Sequence, residues 1–144
     1  MKKEEKDLLI KDLCGRLPYG VKMLFNNEHK FTLDQMNPRQ YSGKDGRGVI
    51  FDFGGKVYSV EDCKPYLRPM DSMTEEECDM VEVILGDENI FDFMRNGDII
   101  LKEGNFTQVM LSRLYDYFNS IHVDYRGLIP KGLALEAPEG IYNK

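Results

Sequence analysis

The sequence predicts an α+β protein: an N-terminal helix, a four-stranded antiparallel meander or small SH3-like barrel, then a C-terminal helical part. Three observations carry this expectation. Short alternating apolar stretches joined by turn residues fill the chain from Tyr19 to Val60. A helical apolar period then runs from Met110 to Ile121. Between them the charge balance changes sign: residues 1–70 hold 13 Lys/Arg against 10 Asp/Glu, and residues 71–144 hold 6 against 15.

The first helix is expected over residues 4–16, with Leu9 and Leu13 on one face beside Leu8 and Ile10. Gly15 is read as its left-handed terminus and Pro18 as the residue that forbids continuation. Residues 19–25 alternate, placing Tyr19, Val21, Met23 and Phe25 on one face of a strand. Asn26-Asn27 marks a turn before a second strand with Phe31, Leu33 and Gln35. Residues 37–48 read as a polar, glycine-rich loop. A third strand over residues 48–53 sets Ile50 against Val49, Phe51 and Phe53, and Gly54-Gly55 reads as a two-residue hairpin turn into residues 56–60.

Pro65 and Pro69 make residues 65–70 an extended connector. Ser72 and Thr74 each precede a Glu by three residues, the capping-box spacing, and announce a helix that Gly86 and Asp87 end. Residues 89–102 fit a hairpin around Asn96-Gly97 or a helix followed by a loop. The core helix spans residues 105–120, with Met110, Leu114, Tyr117, Phe118 and Ile121 inward and Arg113, Asp116 and Asn119 outward. One compact domain over residues 1–144 is expected, with possible lobes at 1–68 and 69–144.

The nine acidic and no basic residues between Asp71 and Asp92 describe a solvated helix face or a surface for a basic partner. No Lys/Arg cluster is dense enough to neutralise successive phosphates, so direct duplex nucleic-acid binding is not expected. Cys14, Cys63 and Cys78 are odd in number and lack C-x-x-C spacing, which suits reduced thiols and a cytoplasmic location. No leader-like segment and no run of about 20 apolar residues points to a membrane.

Catalysis has few carriers. His29 and His122 are the two imidazoles, and His29 falls in an expected solvated turn. His122 and Asp124 would share one side of a strand, but two ligands make no metal site. Residues 43–48 (Gly-Lys-Asp-Gly-Arg-Gly) lead into a strand rather than a helix and lack the P-loop order. No catalytic residue, metal or cofactor is therefore expected.

Three stretches carry a resemblance: residues 12–21 (DLCGRLPYGV), residues 64–70 (KPYLRPM) running on through Ser72 to Glu77, and residues 124–129 (DYRGLI) followed by residues 131–138 (KGLALEAP). Together they resemble uncharacterised short proteins encoded in gut Bacteroidales genomes and their phages or mobile elements. The resemblance implies a small accessory protein and assigns no activity. The paired histidines common in that group before Asp-Tyr-Arg are here Ile121-His122, and Pro130 stands where a Glu is common.

The expected binding segment is His122, Asp124, Tyr125 and Arg126. Asp124 can cap one turn over residues 125–129, with Leu128, Ile129, Leu133 and Leu135 anchoring the tail on the core helix. Tyr125 and Arg126, facing outward, would supply the contact types that dominate interfaces. The functional expectation is a non-enzymatic interaction protein with a protein partner, an accessory or host-modulating factor of a mobile element. Its alternatives are a small enzyme or ligand-binding domain with a site near His122, and a structural homo-oligomer.

Overall fold

The computed structural model describes residues 1–41, 47–85 and 108–142. The chain forms two compact units: Met1–Leu67 with Arg126–Lys144, and Arg68–Tyr125 between them in sequence. The class is mixed α+β, with an N-terminal helix, antiparallel strands and later helices.

In the first unit, α1 (Lys3–Arg16) continues into a 3-10 turn over Leu17–Tyr19. The left-handed residue that ends this stretch is Gly20, at φ 67, while Gly15 remains helical. Pro18 sits at the start of the 3-10 turn, where its missing N–H costs nothing. Strands β1 (Lys22–Phe25) and β2 (His29–Thr32) pair antiparallel around Asn26-Asn27, whose φ of 47 and 61 match the twist of a tight hairpin.

β2 runs on into β3 (Gln35–Tyr41), a strand where a loop is expected from residue 37. Pro38 is tolerated because β3 is an edge strand, and its ladder with β4 (Arg47–Phe51) is irregular between Asn37 and Tyr41. β4 pairs next with β5 (Val57–Ser59). Both Val49 and Ile50 are buried, so β4 is covered on two faces rather than one. Gly48, at φ 110, lies so close to α1 and the next turn that a Cβ would meet Ile10 and Val60 at 3.3 Å.

A 3-10 turn over Val60–Asp62 leads to β6 (Cys63–Leu67), which overlaps the extended connector expected over residues 65–70. It is extended, as its prolines require, but it also pairs antiparallel with β1. The strands therefore form two sheets, β2-β1-β6-β7 and β3-β4-β5, rather than one four-stranded meander. β7 (Leu135–Glu136) adds a parallel edge on β6.

Leu9, Leu13, Val21, Met23, Leu33, Ile50 and Val60 fill the core of this unit. Fully burying each such side chain stabilises by about 1.5–3 kcal/mol. Leu128, Leu133 and Ala134 join that same core, so the tail anchors on the first unit and not on the core helix.

The second unit holds α2 (Glu75–Leu85) and α3 (Gln108–Ser120). Thr74 is the cap: its Oγ1 accepts the Glu77 N–H at 3.2 Å, and its own N–H donates to Glu77 Oε1 at 2.8 Å. Ser72 belongs to the preceding 3-10 turn. Leu114 and Phe118 are fully buried with Met70, Cys78, Val81 and Val123. Asn119, expected outward, is 5% exposed. The expected start of α3 at residues 105–107, the expected stop at Gly86 and Asp87, and residues 89–102 lie outside the described residues. No helix among the described residues is long and apolar enough to cross a membrane.

Candidate functional site

The expected binding residues are mostly packed inward. His122 ends α3 in a left-handed conformation, at φ 62. The Val123 N–H donates to the Phe118 carbonyl at 3.1 Å and the His122 N–H to the Asn119 carbonyl at 3.2 Å. These two bonds are the Schellman closure of a helix, with His122 where glycine is usual. Val123 and Phe118 then meet in the same apolar cluster. Asp124 donates its N–H to the Arg68 carbonyl at 2.8 Å, and no helical turn follows it. Tyr125, expected outward, is 7% exposed and stacks on Tyr115 at 5.2 Å and Phe118 at 5.5 Å. A phenol ring this apolar is more stable over two aromatic neighbours than in water.

Arg126 belongs to the first unit and meets the carboxylate of Asp12 at 3.2 Å. Asp12 also holds Arg16, four residues on, at 2.7 and 3.2 Å. Asp12 and Arg16 are wholly buried and the Arg126 side chain is 22% exposed. One carboxylate thus faces two guanidinium groups, and this arrangement ties the C-terminal stretch to α1. Tyr142 reinforces it: its hydroxyl accepts the Lys22 N–H at 2.9 Å and donates to the Tyr66 carbonyl at 2.6 Å. Burial holds the Tyr142 phenol far above its ordinary range.

In the second unit, sequence reasoning missed Arg68. Its guanidinium donates to both oxygens of Glu77 at 2.7 Å and to the carbonyls of Ser72 and Ile121. That fork joins the start of α2 to the end of α3. The signal available was an arginine fixed between Pro65 and Pro69, close upstream of a capping box.

Catalytic groups do not assemble at His29. Its ring stacks near Tyr58, at 6.2 Å, and Tyr58 donates to Asp52 at 3.0 Å. The other Asp52 oxygen accepts the Gly54 and Lys56 N–H groups at 2.9 and 3.0 Å. Desolvation works to raise this carboxyl, but those three hydrogen bonds hold it below the usual range and close the turn. Burial and the Asp52 bond push the Tyr58 phenol up to about 12. Burial likewise pushes the Cys63 thiol up to about 12, far from a reactive thiolate at neutral pH. Among the described residues, no three His, Cys, Asp or Glu side chains are grouped to hold a metal ion.

What the closed turn does is display apolar surface. Asp52 holds the three-residue loop Phe53–Gly55, with Gly55 at φ 82, where two residues are expected. Phe53 is 71% exposed and Val57 53%. Lys56 stands between them in sequence, 5.4 Å from the Tyr58 ring and 6.0 Å from that of Phe25. Phe31 stacks on Tyr58 at 4.2 Å beneath. The hairpin is thus a rigid aromatic base carrying one cation and two solvent-facing apolar side chains. Comparison with known proteins adds nothing to this geometry: no family model, no curated protein and no solved structure matches the chain.

Proposed function

We propose that the chain is a non-enzymatic protein-binding module and that the β4–β5 hairpin is its docking surface. The exposed Phe53 carries this reading. An aromatic ring left in water on a loop stapled by Asp52 has no structural use in the unit that bears it. Rigid aromatic side chains lose little entropy when covered and supply much of the energy of protein contacts. Lys56, over the Tyr58 ring, adds a cation to the same hairpin and favours an acidic partner surface. The resemblance to proteins of Bacteroidales mobile elements supports an accessory or host-modulating role for this binding.

The test is a pulldown from such a host with the tagged chain and with Phe53→Ser/Val57→Ser. A partner retained by the native chain and lost by the double variant supports the reading, with affinity falling about tenfold or more. Equal recovery by both proteins overturns it. Phe53 and Val57 are exposed, so the variant keeps its fold, which circular dichroism verifies.

A further inference from the structure

The chain carries a second exposed apolar pair, on α2. Met80 is 45% exposed and Val83 77%. Glu76, Asp79, Met80 and Val83 follow one another at i, i+3, i+4 and i+7, one stripe along the helix. Cys78 and Val81, which point the other way, are buried. Glu77 is engaged by Arg68, and the stripe presents two apolar side chains edged by Glu76 and Asp79.

Hairpin and stripe are complementary in both terms that govern docking. Each offers two exposed apolar side chains, and these four with Met1 are all the large apolar residues exposed among the described residues. Their charges oppose. The unit bearing the hairpin has 15 Lys/Arg against 12 Asp/Glu, and the unit bearing α2 has 4 against 13. The helix itself holds five acids and no base. The Lys56 of the aromatic knob and the acidic, apolar stripe satisfy one another, where two copies of the stripe would repel.

Resting on the docking reading above, we propose that the hairpin's partner is a second copy of this chain, bound through α2. Phe53 and Val57 of one copy cover Met80 and Val83 of the next, with Lys56 against Glu76 and Asp79. The contact is heterologous, since the two surfaces differ. A single contact leaves a stripe unused on one copy and a hairpin unused on the other, so association closes as a reciprocal dimer or continues to a ring. Its electrostatic part weakens with salt over a Debye length of about 10 Å at 0.1 M.

Sedimentation velocity on the full chain, from about 1 µM to about 1 mM, tests this. Mass should rise with concentration to that of a dimer or beyond and fall when salt is added. Phe53→Ser, which lacks the knob, and Val83→Glu, which lacks the stripe, should each remain monomeric. Their equimolar mixture should form a dimer and stop there, because one intact knob meets one intact stripe. Both positions are exposed, and a thermal melt of each variant confirms its fold. A mixture that stays monomeric while the native chain associates overturns the pairing of these surfaces. A native chain monomeric throughout overturns self-docking. It leaves the hairpin reading to the host pulldown, whose dependence on Phe53 is scored separately. Association that survives both substitutions counts against the self-docking interface.

Discussion

At the scale of single residues, the polar groups that organise each unit are those paired across long sequence separations. Asp12 and Arg16 are legible as an i, i+4 pair on a helix. Nothing in their spacing announces Arg126, which reaches Asp12 from the other end of the chain. The same holds for Arg68, whose partners Glu77 and Ile121 lie nine and 53 residues away. Tyr125 was misread for a related reason. Its residue type suits an interface, and only the tertiary stacking on Tyr115 and Phe118 shows that the ring is consumed internally. Two predictions follow from the pairing. Asp12→Asn removes the carboxylate that faces two guanidinium groups, and should cost about 3–5 kcal/mol in urea denaturation, as breaking a buried ion pair does. Arg68→Lys keeps the charge but loses the planar fork, so it should still destabilise, by about 1–2 kcal/mol. Native-like stability in the lysine variant would reduce Arg68 to a point charge.

At the scale of elements, periodicity and capping were the legible signals. The apolar stripe of α3 from Leu114 to Ile121 and the Thr74 box both stand in the structure where their spacing puts them. Leu114→Ala should therefore cost about 2–5 kcal/mol, and an unchanged denaturation midpoint would place Leu114 on the wrong face. Asn119 escaped because its polar side chain reads as outward, while the structure leaves it 5% exposed. Strand β3 escaped because residues 37–48 are polar and glycine-rich, and β6 because its prolines read as a connector. Here Pro38 lies on an edge and Pro65 stands opposite Met23 in the ladder with β1. The Thr74 box also has a pH signature. Burial works to raise the Glu77 carboxyl, but the Arg68 and Thr74 hydrogen bonds outweigh it and hold the group below 4.5. A folded-state value lower than the unfolded one stabilises above about pH 4.5, and that stabilisation is lost as pH falls through the folded value. Glu77→Gln should accordingly flatten the acid limb of stability against pH, read as urea midpoints between about pH 5 and about pH 3.

At the scale of the whole molecule, the chain's organisation was half visible. The change in composition near residue 68 coincides with the passage from one unit to the other, but the return at Arg126 carries no compositional mark. The last 19 residues look like a tail in sequence, and yet they complete the first unit. Leu128 and Leu133 fill its core, β7 pairs with β6, the Ala137 N–H donates to the Leu67 carbonyl at 2.7 Å, and Tyr142 bridges Lys22 and Tyr66. Removing residues 126–144 would open a cavity where two leucines lie and take the Arg126 partner from Asp12. Each buried leucine lost costs about 2–5 kcal/mol, against a total stability of about 5–15 kcal/mol for a domain. The truncated chain should therefore lose the cooperative melt of its strands in circular dichroism, while the helices of Arg68–Tyr125 keep their own signal. A truncated chain that still melts cooperatively as a β-structure would show the tail to be dispensable. It would also show the buried residues between Leu9 and Leu67 that line the core to be sufficient without it.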